Sequence, residues 1–165
     1  MSNSNSTLTQ SRLKELLHYD PDTGLFKWTT SAKKSQQGKT PKSNSAKDCI
    51  CIRVDKVIYK AHRLAWLYAY GKFPESCIDH INSCRQDNRL ENLRCATHAE
   101  NMQNHRKARS DSKSQLIGAM PHQGRWRSDI KLNGKKTYLG VFDTKELAHE
   151  AYIKAKREMH PFCTI

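Results

Sequence analysis

Apolar residues in this 165-residue chain come in short bursts between long polar stretches, and the spacing inside each burst predicts its element. Behind a polar tail over residues 1–10, Leu13, Leu16 and Leu17 sit at helical spacing and predict a short helix over 8–18. The turn signal Tyr19-Asp20-Pro21-Asp22-Thr23-Gly24 then leads into an aromatic strand at 25–28. Residues 29–47 are polar, carry Lys33, Lys34, Lys39, Lys42 and Lys47, and predict a loop. Cys49, Cys51 and Arg53 alternate with Ile50, Ile52 and Val54, and the chain turns at Asp55-Lys56 to return through 57–59 as a β-hairpin. Leu64, Trp66, Leu67 and Tyr68 supply the apolar face of a helix over 61–70 that Gly71 ends.

From residue 75 the pattern shortens. Cys77 and Ile78 mark a strand over 76–80, and 81–91 is a loop, because Asn82, Ser83, Asp87 and Asn88 all compete for backbone hydrogen bonds. A second strand covers 92–96, and Thr97 with Glu100 makes a capping box that starts a helix at His98. Residues 105–113 are too polar and basic to pack, and read as a linker. Strands follow at 116–119, 125–132 and 136–142, the last two joined by Asn133-Gly134. Asp143 and Glu146 cap a final helix to 159, with Leu147, Ala148, Ala151, Tyr152 and Ala155 on one stripe. Alternation sends Trp126, Ile130, Leu132, Leu139 and Val141 toward that helix, and Arg125, Arg127, Lys131, Lys136 and Tyr138 to the open face.

Charge changes the picture more than composition does. Lys and Arg total 29 against 16 acidic residues, a net +13, which favours a polyanion partner, nucleic acid first. An anionic membrane would need a basic amphipathic helix or a lipid anchor, and no apolar run approaches the roughly 20 residues of a span. A cytoplasmic protein without a membrane partner is expected. In that compartment the six cysteines argue against disulfides. Cys77, Cys84, Cys95 and His98 are imaginable zinc ligands, but no C-x-x-C occurs, so structural zinc is disfavoured and Cys77 and Cys95 read as core positions.

The candidate chemistry lies within residues 75–106. In an antiparallel hairpin the start of the second strand lies beside the end of the first, which brings Asn92 near His80. The following helix carries Asn101 and His105 one turn apart, with Asn104 beside them. One carboxylate (Asp79), one imidazole and several amide oxygens suit a hard divalent cation with a base next to it. Asn82 and Asn88 are read as turn formers.

The D-H-I-N…D-N-R-L-E-N-L…T…E-N pattern of this stretch resembles the HNH, or ββα-metal, nucleases of phage and intron-encoded homing endonucleases. The resemblance implies His80 as general base, Asp79 and Asn101 as metal ligands with His105 as the alternative to Asn101, and Asn92 orienting the His80 ring through its other nitrogen. It further implies one divalent cation, Mg²⁺ or Mn²⁺. The Y-D-P-x-T-G-x-F-x-W opening resembles the N-terminal segment of phage HNH proteins and implies no chemistry. Residues 124–156 resemble the ethylene-response-factor (Apetala-type) DNA-binding domain, through Trp126, Ile130, Gly134, Lys135, Leu139, Gly140, Phe142 and the helix after them. That resemblance implies major-groove contacts from Arg125, Trp126, Arg127, Lys131, Lys136 and Tyr138, although alternation alone turns Trp126 inward. Arg106, Lys107 and Arg109 of the linker are placed to track a phosphate backbone.

Together these readings predict an α+β protein: a small ββα-metal nuclease core with an N-terminal helix and hairpin (11–106), a basic linker (107–115), and a three-stranded antiparallel sheet backed by one helix (116–160). The expected activity is site-directed, metal-dependent cleavage or nicking of double-stranded DNA by a monomer or homodimer. The alternative is a DNA-binding regulator that keeps the scaffold without cleaving. An unperturbed His80 would lose activity below about pH 6.5.

Overall fold

The computed structural model describes residues 8–41, 49–104, 107–132, 134–160 and 163–164. His105, Arg106 and Asn133 lie outside the described residues, as do residues 1–7 of the tail and Lys42 and Lys47 of the basic loop. The chain divides into two units, Met1–Ala96 and Thr97–Ile165.

In the first unit, the Thr9 hydroxyl accepts from the Arg12 amide and opens α1 (Gln10–Leu16). This helix stops before the residues its leucine spacing predicts, because Leu17 starts a strand. β1 (Leu17–Asp20) pairs antiparallel with β2 (Leu25–Trp28), and its period of two buries Leu17 and Tyr19 while exposing His18. β3 (Cys51–Val54) and β4 (Val57–Lys60) form the expected hairpin. Its two turn residues, Asp55 and Lys56, both take positive φ, as a two-residue turn that matches strand twist requires. α2 (Ala61–Tyr70) ends where Gly71 adopts φ +75. Leu13, Leu17, Ile52, Leu64 and Ala65 form the centre of the core, the three leucines and Ile52 each worth about 1.5–3 kcal/mol of burial, and the Tyr19, Phe26 and Tyr68 rings close one side of it. β5 (Cys77–His80) pairs with β6 (Leu93–Ala96), Asp79 opposite Arg94 and His80 opposite Leu93. Asn92 ends a single 3-10 turn (Leu90–Asn92) instead of opening the strand. Cys77 and Cys95 are exposed on this hairpin, not core.

The second unit begins with α3 (His98–Gln103), whose capping box is complete: Thr97 accepts from the Glu100 amide, and Glu100 accepts from the Thr97 amide. β7 (Met120–His122), β8 (Arg125–Leu132) and β9 (Lys135–Phe142) make a meander in that order, with α4 (Lys145–Met159) packed on it. The strand expected at 116–119 is displaced to β7. Gly118 there takes φ +76, and a Cβ on it would lie 2.0 Å from the Tyr152 ring, so the backbone crosses α4 too closely for any side chain. Thr144 rather than Asp143 caps α4, leaving Asp143 to pair with Arg125 at 2.7 Å. Leu139 is an extra residue on β9, since Ser128 faces Gly140 while Asp129 faces Tyr138. Beyond it Val141 lies opposite Arg127 and Phe142 opposite Trp126, which moves Val141 off the helix side where strict alternation puts it. α4 buries Ala148 and Ala155, and Leu147 is exposed. Among the described residues no helix is long and apolar enough to cross a membrane.

Candidate active site

The loop between β5 and β6 is held by its own polar side chains. The Asn92 amide oxygen accepts from the Asn82 backbone N–H at 2.9 Å, and its nitrogen donates to the Asp87 carbonyl at 2.8 Å. Asn82 also donates to Asp87 Oδ2, and Arg89 donates to both Asp87 oxygens. Arg89 accordingly holds the Asp87 carboxyl well below the usual carboxylate range. Ser83 takes φ +62 to let the chain reverse directly after His80. Asn92 therefore serves the loop backbone, and the expectation that it orients the His80 ring does not hold.

Asn88 takes that place. Its Oδ1 lies 3.2 Å from His80 Nε2, and the residue is 1% exposed. An amide oxygen only accepts, so this contact puts the ring proton on Nε2. The ring edge of His62, from α2, meets His80 with centroids 5.1 Å apart. Burial lowers the His80 pKa from its ordinary value, opposed by the Asn88 bond and the charge of Asp79. Burial also pushes His62 down, to about 3, with His80 adding to the effect. Both imidazoles are neutral at pH 7. Nothing in the sequence separates Asn88 from its neighbours as the ring partner beyond its place in the D-N-R-L-E-N-L run.

Asp79 is buried beside its cross-strand neighbour Arg94, whose Nε and Nη2 donate to the single oxygen Oδ2 at 2.9 and 2.7 Å. Asn101 is carried by α3 in the second unit. The Asn104 amide oxygen accepts from the Thr164 hydroxyl at 2.6 Å, a partner that sequence reasoning did not supply. A carboxylate and an amide oxygen are the donor chemistry a hard divalent cation takes. Among the described residues, no group of three or more His, Cys, Asp or Glu side chains is placed to hold a metal ion.

On the three-stranded sheet, Arg127, Asp129 and Lys131 share one face of β8, with Tyr138 and Lys136 opposite them on β9. Asp129, with a side chain 3% exposed, accepts from Arg127 at 2.9 Å and pairs with Lys136 at 3.0 Å. Burial alone would raise its carboxyl, but Arg127 and Lys136 pull it below the ordinary value. The Arg127 guanidinium also lies over the Tyr138 ring, 5.2 Å from its centre. The basic face thus has an acid at its middle, which the same alternation that selected the basic residues could have revealed. Trp126 is half-buried on the helix side with Ile130, and Lys131 is exposed. Lys107 is exposed, and Arg109 pairs with Asp111 at 3.2 Å, both largely in solvent.

Residues 59–103 match the family model described as HNH endonuclease. This match supports classing the chain as an HNH-family nuclease. The matched segment runs from β4 through α2, both strands of the Asp79–His80 hairpin and its loop to the end of α3, and so contains His62, Asp79, His80, Asn88, Asn92 and Asn101. It stops before the three-stranded sheet. Neither the curated proteins nor the solved structures give a match to this chain.

Proposed function

We propose that this chain is a metal-dependent endonuclease or nickase of the homing type, acting on double-stranded DNA in the cytoplasm, with residues 11–106 cleaving and 116–160 holding the duplex. The observation that carries the reading is His80: buried, so that its neutral form is favoured, and with Nε2 committed to Asn88. Its imidazole accepts a proton from water, and that water attacks a backbone phosphorus. Burial keeps the imidazole unprotonated, and Asn88 sets the tautomer. Asp79 and Asn101, with His105 as the alternative to the amide, would hold one Mg²⁺ or Mn²⁺. Such a cation supplies charge stabilisation to the phosphorane-like transition state and to the leaving oxygen. Arg125, Arg127, Lys131, Lys136 and Tyr138 present a sheet face to the major groove in the manner of the ethylene-response-factor resemblance. Arg106, Lys107 and Arg109 add phosphate contacts between the two parts. Trp126, on the helix side, contributes packing rather than base contact.

The test is conversion of supercoiled plasmid with Mg²⁺ or Mn²⁺, against EDTA and a His80→Ala variant. Metal-dependent open-circle or linear product that the variant fails to make supports the reading, and cleavage that survives His80→Ala removes His80 as base. The Asp79–Arg94 ion pair favours one second reading, a DNA-binding regulator without cleavage, because Arg94 occupies one of the two carboxylate oxygens that Asp79 would offer a cation. Salt-sensitive DNA binding with no product under either metal would select it.

A further inference from the structure

Asn88 reaches the His80 ring only if the Asn88–Arg89 peptide is held in place, and a turn far earlier in the chain holds it. The Tyr19 hydroxyl donates to the Asn88 carbonyl at 2.7 Å, with the two residues 2% and 1% exposed. Burial pushes the Tyr19 phenol up to about 12, so it remains a donor at any working pH. At the other end of the same turn Gly24 takes φ +70, and a Cβ there would stand 2.5 Å from the Arg89 nitrogen and 2.7 Å from the Asn88 carbonyl carbon. Asp20 shapes the turn between them: its carboxylate accepts from the amides of Asp22 and Thr23, and its carbonyl from Gly24. One turn therefore meets one peptide of the β5–β6 loop through a hydrogen bond and through a backbone contact that only glycine permits. The loop's remaining side-chain bonds run largely within itself, so they set its shape more than its height above β5. The phenol is pinned in turn by the Phe26 and Tyr68 rings, 4.9 and 5.6 Å away.

We infer that Tyr19 and Gly24 are positioning residues for His80, acting through Asn88, so that the N-terminal turn is part of the cleavage machinery. The inference rests on the reading of His80 as general base. It is tested with the full chain by Tyr19→Phe, which removes only the hydroxyl, and by Gly24→Ala. Ile52→Val, a truncation in the β3 core, serves as a control for lost stability followed by urea titration. Two quantities are read: nicking kinetics, and the His80 imidazole nitrogen resonances of ¹⁵N-histidine-labelled protein, identified by their loss in His80→Ala. Tyr19→Phe is expected to lower kcat about tenfold with KM within about twofold, and to shift the His80 resonances, while Ile52→Val does neither. Gly24→Ala should act in the same direction; should it fail to fold, Tyr19→Phe decides alone. Tyr19→Phe matching Ile52→Val in kcat and in the His80 resonances overturns the inference. A parent chain that cuts no DNA sinks the nuclease reading instead, and the resonances still report whether the turn sets the ring.

Discussion

Replacing Asn88 by Asp changes the atom facing His80 Nε2 from an amide oxygen to a carboxylate oxygen at the same 3.2 Å, inside a site that is 1% exposed at Asn88 and 6% at His80. A full negative charge at that distance stabilises the imidazolium and raises its pKa by about 1–3 units, equivalent to about 1.4–4 kcal/mol. In the parent protein burial holds the His80 pKa below 6.5, so the loss of activity with acid should begin lower than for an unperturbed histidine. The Asp variant should move that acid limb upward. On the limb each unit costs tenfold in neutral base, so a shift of about 2 units means up to about a hundredfold less activity at a fixed acidic pH, with the alkaline plateau much less affected. Asn88→Ala acts the other way, because losing the acceptor removes a hydrogen bond that raises the His80 pKa; its limb should fall below the parent's. It also strands a buried ring N–H, at a cost of about 1–3 kcal/mol. The assay is kcat/KM for plasmid nicking from about pH 5 to 9 for the three proteins, with folding checked at each pH. Limbs that coincide, or an Asp variant whose limb falls, would refute both the Asn88 contact as tautomer setter and His80 as the titrating base.

Stability should fall in acid through His62. Its pKa is 6.5 unfolded and about 3 folded, so unfolding takes up a proton between those values; the contribution is full above pH 6.5 and lost at about 1.4 kcal/mol per unit as pH falls, and His62→Phe should flatten urea-derived stability between pH 7 and 5 by that slope. Arg94→Gln takes two donors from the buried Asp79 carboxylate and should cost about 2 kcal/mol in chemical denaturation, less than the roughly 3–5 of a fully buried pair because the Arg94 side chain is 22% exposed. The same variant should tighten Mn²⁺ binding by calorimetry if Asp79 is a ligand, and unchanged affinity would count against that role. Asp129→Asn removes the acid paired with Arg127 and Lys136, so duplex affinity by fluorescence anisotropy should rise and the salt slope should steepen by up to about 2; an unchanged slope would mean this face does not meet phosphate.

Elements whose signals lie within a few residues of one another were legible in the sequence. α2 spans 61–70 and ends at Gly71 as its pattern predicts, the Thr97–Glu100 box starts α3, and the Asp55-Lys56 turn closes its hairpin, because caps and tight turns depend on neighbours one to four positions away. The adjacency of Asp79 and His80 at the end of a strand, and the family it pointed to, were legible for the same reason. The tertiary structure decided what depends on distant partners. Leu17 could continue a helix or start a strand, and pairing with Trp28 chose the strand. The extra residue Leu139 turned Val141 to the face opposite the one its period assigned. Asn82, Asn88 and Asn92 are chemically identical in one polar loop, and the hairpin rule that set Asn92 beside His80 chose the wrong one. Asn92 was drawn to the loop backbone and Asn88 to the histidine because a turn 69 positions away, through Tyr19, holds the Asn88 peptide where its side chain meets the His80 ring.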